Sequence, residues 1–354
     1  MGKSEIPGMP AVARRVRIVR RLVTSLAALG AVLVVCVLVA ANLGQVRIPP
    51  GDVVRCLIAH LTGRPSGLNQ SVEQIIWQVR LPRVCLGAAV GASLAGCGAM
   101  FQGLLMNPLA DPYLIGVSAG AGLGASIAFL LQVDQYGGVF GAWAVALFAF
   151  ACGLAAILLV WRLASVRGRV HLEAFILAGV VVGSFLWAGV TLAMSLANQD
   201  LGTIFHWLMG NLEAHQWAPV GVVLAVNLAA GAGIYMRARD LNLMSLGEES
   251  ARQLGVDVEK AKRSLIILGS LVTAAAVSFS GIIGFVGLVV PHAARRLFGA
   301  DHRVLLPAAV LSGASFLVLA DTVARSAPME LPVGVVTSLL GAPFFFYLLR
   351  RRPG

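Results

Sequence analysis

Uncharged apolar runs of about twenty residues recur along this chain and are separated by short polar stretches. A bilayer core about 30 Å thick needs roughly 20 apolar residues per helix at about 1.5 Å of rise each, with every backbone N–H and C=O paired internally. By that measure the spans are Leu22 to Ala41, Val84 to Met106, Tyr113 to Val133, Gly137 to Trp161, Ala174 to Ala197 and Gln216 to Met236, followed by Val304 to Val323 and Val333 to Leu349. The stretch Ser264 to Pro291 is uncharged throughout, yet Arg263 and Arg295 belong on one side of the membrane, so it divides near Ser278 to Gly284 into a full helix and a short one. The pattern predicts an all-α, polytopic integral membrane protein of about ten transmembrane helices, one membrane domain over residues 1–354, with both termini on the same side.

Three connections are longer than turns. Asn42 to Arg83, with Pro49, Pro50, Gly63 and Pro65, is expected as a long outside loop. Asn198 to His215 carries Phe205, Trp207, Leu208 and Met209 and suits a short interfacial helix. Asp240 to Lys262 is polar and inside. Ser245 with Glu248 is expected to form a capping box, Gly255 to stop a helix, and Asp257 to cap a second turn. Within the spans, Gly116, Gly120 and Gly124 share one helical stripe, as do Gly87 and Gly91, which lets backbones approach closely. GxGxG at Gly120 to Gly124 resembles a dinucleotide loop, but no strand precedes it and it lies mid-membrane.

Composition sharpens this picture. Only 12% of the residues are charged and 58% are hydrophobic, which excludes an ordinary soluble enzyme. The net charge of +11 would suit nucleic acid if the basic residues clustered, but they follow the membrane instead. With the termini inside, the outside keeps Arg47, Arg55, Arg64, Arg80, Arg83 and Arg325, and the other 21 of the 27 Lys and Arg residues fall inside. The basic N-terminus, residues 1–21, is then cytoplasmic. Leu22 to Ala41 is too long for a signal-peptide core and no clear cleavage site follows it. Cys36, Cys56, Cys85, Cys97 and Cys152 are scattered without CxxC spacing and suit helix packing.

Candidate chemistry is sparse. Lys3, Lys260 and Lys262 are the only lysines and none stands in GxxxxGK[ST], so no P-loop is present. His60, His171, His206, His215, His292 and His302 show no HExxH or paired ligand spacing, and neither a resident metal nor a cofactor is expected. Acids are nearly absent from the spans, whereas an ion-coupled carrier buries ionisable groups there. The energy for transport is therefore expected from another protein. A solitary ion-coupled carrier and a non-transporting membrane scaffold are the competing classes.

Arg80 to Ala125, RLPRVCLGAAVGASLAGCGAMFQGLLMNPLADPYLIGVSAGAGLGA, resembles the opening block of the FecCD permeases, which include the membrane subunit of the vitamin B12 importer. HWLMGNL from His206, MSLGEESARQLGV from Met244 and the block from Gly281 to Pro343 are similar to later family blocks. The resemblance implies an ABC importer permease that pairs with a second copy or a paralogous permease around a central pathway, cytoplasmic ATPase subunits below and an extracytoplasmic binding protein above, in the inner membrane. It implies that residues 240–262 hold the coupling helices, with Ser245, Gly247, Glu248, Ala251, Arg252, Leu254 and Gly255 meeting the ATPase. It also implies that Arg80, Arg83 and Arg325 meet acids on the binding protein. An iron(III) siderophore is the first cargo expectation, with haem and cobalamin as alternatives. Pro291 and His292 fall in a family block without a derived role; Asn107, Pro108, Asp111 and Pro112 form a tight turn. Arg167 to Glu173, with His171 and Glu173, departs from the small hydroxyl residues of the family's B12 gate, so gate residues do not carry over.

Overall fold

A computed structural model describes residues 11–44, 48–135, 139–166, 169–197, 200–212, 216–327 and 329–350. Residues 1–10 of the basic N-terminus, together with Arg47, Gly137, Arg167, Asn198, His215, Arg351 and Arg352, lie outside them. The helices are α1 (Ala11–Asn42), α2 (Pro50–Thr62), α3 (Gln70–Gln74), α4 (Leu81–Leu104), α5 (Val117–Leu130), α6 (Val139–Ala164), α7 (Leu172–Leu196) and α8 (Leu201–Leu208), then α9 (Trp217–Met236), α10 (Ala238–Met244), α11 (Glu248–Gln253), α12 (Val258–Ser280), α13 (Val286–Phe298), α14 (His302–Ser326) and α15 (Val333–Arg350). Two-residue strands β1 (Ser165–Val166) and β2 (Arg169–Val170) pair antiparallel between α6 and α7. Among the described residues, seven helical stretches are long and apolar enough to cross a membrane. Two shorter apolar helices, α5 and α15, and the half-length α13 bring the membrane elements to the expected ten.

The long apolar stretch divides where the sequence placed the break: α12 ends at Ser280 and α13 begins at Val286. Pro291 does not end α13 but lies inside it. A proline lacks the N–H that would meet the carbonyl four residues earlier, here that of Gly287. Gln102 of α4 stands in, its Nε2 lying 3.5 Å from the Gly287 oxygen and 3.2 Å from that of Leu288.

The expected loop from Asn42 to Arg83 is instead largely helical. Pro50 opens α2 at a position where a missing N–H costs nothing, and Gly63 closes it in the left-handed conformation at φ 67°. Two of the four residues taken as loop markers, Pro50 and Gly63, are thus a start and a stop. α3 runs through a π-helical segment, Ile75–Arg80, directly into α4, giving one helix of 35 residues from Gln70 to Leu104. The wide turn, with the Leu81 N–H bonded to the Ile76 carbonyl, makes room for the ring of Pro82.

α4 is the buried centre of the bundle and packs against α9, α12, α13 and α14. Its glycines decide how close those neighbours come. A Cβ at Gly91 would overlap the carbonyl of Gly313 on α14, and one at Gly98 the carbonyl of Gly287 on α13. The predicted α5 stripe behaves alike, Gly120 and Gly124 lying against the Cys152 and Phe148 carbonyls of α6. All five cysteines are free thiols.

The turn from Leu105 to Asp111 is closed as expected, with Asn107 Oδ1 accepting from the Leu109 N–H at 2.9 Å and Asp111 Oδ1 from the Tyr113 N–H at 2.8 Å. Desolvation among the helix ends pushes the Asp111 carboxyl up to about 6.

Two measurements test this packing. Gly98→Val should destabilise the detergent-solubilised protein by about 2 kcal/mol, because α13 must move away, whereas Gly221→Ala, which meets nothing, should change stability by under about 1 kcal/mol and in the favourable direction. Thermal melts that rank the two variants the other way would exclude this account. For Asp111, the folded chain keeps a proton that an unfolded carboxyl near pKa 4 has released, so stability falls as pH rises from about 4 to about 6. Asp111→Asn keeps the acceptor and should flatten that slope in melts recorded between pH 4 and 7.

Candidate functional site

Polar side chains gather at the two ends of the bundle. One end holds the α1 C-terminus, α2, the start of the long α3–α4 helix and the residues around Asp321 and Glu330. The other holds β1–β2, α10, α11 and the α13–α14 turn. The second grouping is held by Val170 bonding to Glu259, and by the Asn242 side chain bonding to Asp301 and His302.

At the first end the structure brings Arg80, Arg83 and Arg325 together. Arg80, 6% exposed, donates from Nη1 to the carbonyls of Ala41 at 2.9 Å and Asn42 at 3.1 Å. Arg325, 7% exposed, donates to the carbonyl of Ala40. Those oxygens are among the last of α1 and have no partner within their own helix, so two guanidiniums cap its negative end. Asp321 lies between, 2% exposed, with Arg83 Nη2 at 2.9 Å and Arg325 Nε at 3.4 Å. Arg83 continues outward to Glu330 at 2.6 Å. All three arginines therefore have partners within the chain, and Arg83 with Glu330 forms the part nearest solvent. Asp321 and Glu330 were missed from the sequence. The signal was present: Asp321 and Arg325 stand four apart in a run nearly free of charge, the spacing of helical neighbours.

At the second end, α10 and α11 form the expected pair of short helices, but the capping box does not form. Gly247, at φ 107°, occupies the N-cap of α11, and the Ser245 hydroxyl donates to the Asn242 carbonyl at 2.7 Å instead. Glu248 is free to turn inward, to Lys262 Nζ at 2.5 Å and Arg252 Nη2 at 3.2 Å. Gly255 stops α11 in the left-handed region at φ 85°, as expected. Asp257 caps the long α12, rather than a further short turn, by accepting from the Lys260 N–H at 3.1 Å. Ala251 points inward from α11 and is fully buried, while Leu246 and Leu254 are 65% and 55% exposed beside Glu249, Ser250, Arg252 and Gln253 of the same hairpin. Of the Arg167 to Glu173 stretch, His171 is the N-cap residue of α7 and Glu173 sits in its first turn.

Residues 32–351 match the model of the FecCD transport family. This chain belongs to the FecCD transport family. It is 45% identical over 295 residues to the cobalamin import system permease protein BtuC of Halobacterium salinarum, covering 83% of this chain and 78% of that one. It is 40% identical over 297 residues to the hemin transport system permease protein HmuU of Yersinia pestis, covering 80% and 86%. Among solved structures it is similar to an inward-facing metal-chelate type ABC transporter, with a TM-score of 0.79 and 30% identity over 94% of this chain and 100% of that one. A FecCD chain of this architecture is the multi-pass membrane permease of an ABC importer, and ATP hydrolysis belongs to a separate subunit.

Asp321→Asn should destabilise the permease by about 3 kcal/mol or more, since it strips the shared negative charge from two largely buried guanidiniums, and added salt should not restore it. Glu330→Gln, at the solvent edge, should cost under about 1 kcal/mol. Equal melting temperatures for the two variants would show that Asp321 does not hold this cluster.

Proposed function

We propose that this permease forms the pathway of an inner-membrane importer for a bulky metal chelate, driven by ATPase subunits that seat on α10 and α11. The observation that carries the reading is the exposed pair Leu246 and Leu254 on a short polar hairpin, in a chain without a nucleotide-binding loop. Apolar side chains left in water at the edge of a polar surface suit a protein partner that covers them. In this reading Ser245, Gly247, Glu248, Ala251, Arg252, Leu254 and Gly255 form the ATPase-contact segment within residues 240–262, at the cytoplasmic end, and the termini share that side.

A binding protein docks at the opposite end. What supports this is the convergence of Arg80, Arg83 and Arg325 on one edge of the bundle, with Arg83 and Glu330 at its surface. Arg80 and Arg325 fix α1 behind that edge, and the cluster of three arginines against Asp321 and Glu330 keeps a net positive charge that steers an acidic partner. A second copy of the permease pairs through helices left open in the single chain; Leu177, Val181 and Phe185 on α7, all well exposed, are suited to that face or to the pathway. Iron(III) siderophore, haem and cobalamin are the cargo chemistries, and the names of the two relatives add weight to the last two. The passage needs to bind its cargo only weakly, which leaves selectivity to the binding protein.

Proteoliposomes carrying the permease, its co-encoded ATPase and its binding protein should accumulate one of radiolabelled cyanocobalamin, hemin or a ferric siderophore, and only with all three proteins and ATP. Leu246→Asp with Leu254→Asp should lower ATPase affinity by about tenfold or more while leaving the permease folded. Uptake without the ATPase, driven by an ion gradient, would overturn the reading in favour of a secondary carrier.

A further inference from the structure

Lys262 is an unusual residue for its place: a lysine near the start of a membrane helix, 2% exposed, in a chain with three lysines in all. Burying an ammonium is costly unless its donors are satisfied, and here they are satisfied by two separate elements. Its Nζ lies 2.5 Å from Glu248 Oε1 on α11 and donates at 3.3 Å to the carbonyl of Val170, the last residue of β2. Glu259, one helical turn earlier on α12, lies 3.6 Å from the same Nζ and accepts from the Val170 N–H at 3.2 Å. Both backbone polar groups of Val170 are thus held by α12 side chains. Arg252 closes the network from α11, at 3.2 Å from Glu248 and 3.7 Å from Glu259. Val170 directly precedes His171, the N-cap residue of α7.

We infer that Lys262 is a positioning residue that makes the foot of α7 follow α11, through Glu248 on one side and the backbone of Val170 on the other. The inference rests on the reading of α10 and α11 as the ATPase seat. A hydrophobic side chain of similar length would fill the volume under α11 but supply neither directional bond. The lysine therefore adds a specified connection between the surface that receives force and the helix bearing Leu177, Val181 and Phe185. A push on α11 reaches α7 in two polar contacts, without passing along the length of α12.

The test uses the reconstituted three-protein complex and whichever of cyanocobalamin, hemin or ferric siderophore the wild type accumulates. Lys262→Met should retain ATP hydrolysis within about twofold, yet move at least about tenfold less cargo per ATP; Lys262→Arg, which preserves donors and charge, should recover most of the difference. A second readout does not depend on cargo. With spin labels at His171→Cys and Gln253→Cys in a background free of native cysteines, the label separation should stay constant through ATP binding in the wild type and change with ATP in Lys262→Met. Should Lys262→Met fail to assemble, Glu259→Met keeps the lysine but removes the acceptor of the Val170 N–H, and the same loss of cargo per ATP is expected of it. Unchanged cargo per ATP with an unchanged label separation would overturn the inference and leave the importer reading intact. Equal loss of hydrolysis and uptake in both Met and Arg variants, with lowered melting temperature, would also overturn it, as a purely structural role. A wild-type complex that accumulates none of the three probes would instead count against the importer reading.

Discussion

Lipid offers apolar helices no hydrophobic reason to prefer one another, so a bundle in a membrane is held by fit, by dispersion contacts and by the few hydrogen bonds that span its helices. In this chain that constraint falls most heavily on α4, which is enclosed by four neighbours. Gly91 against Gly313 and Gly98 against Gly287 bring main chain to main chain, and Gln102 makes good a carbonyl that Pro291 leaves unmatched. A side chain at either glycine would push a neighbouring helix outward. The polar groups at the two ends can be arranged because this centre fixes where each helix emerges.

The ends solve different electrostatic problems. At the first, three positive side chains on the side expected to be poor in them are retained by one carboxylate and by the terminal carbonyls that α1 leaves without helical partners, a mostly internal arrangement that only Arg83 and Glu330 carry to the surface. At the second, Glu248, Glu259, Arg252 and Lys262 alternate in sign around Val170 of β2, so that separate short elements are tied together. Charge is concentrated at the two ends of the bundle, much of it paired beneath the surface. The apolar middle supplies passage and support.

The spans were legible in the sequence because length and lack of charge are what a bilayer demands, and the break in the run after Arg263 followed from charge on either side of it. The helices α2 and α3 were not. α2 is only 13 residues and α3 only five, and Pro50 and Gly63 read as loop residues until the turns between them are known. Ser245 and Glu248 have the spacing of a capping box, but spacing does not set the backbone angles, and Gly247 took the cap because it tolerates φ 107°. The structure gathers the three arginines at one end of the bundle, while their partners were invisible in the sequence: Arg83 and Asp321 are 238 positions apart. Lys262 passed unnoticed because two of its partners, Glu248 and Val170, lie on other segments.

The helix that runs unbroken from Gln70 to Leu104 has a further consequence. At about 1.5 Å per residue it is about 50 Å long, and even a tilt of 40° leaves roughly 40 Å along the membrane normal, more than the hydrocarbon layer of about 30 Å. Its surplus has to stand clear of the acyl chains. The start of that helix and the α2 packed against it are therefore carried at least to the level of the polar headgroups, and a molecule arriving there meets them alongside lipid.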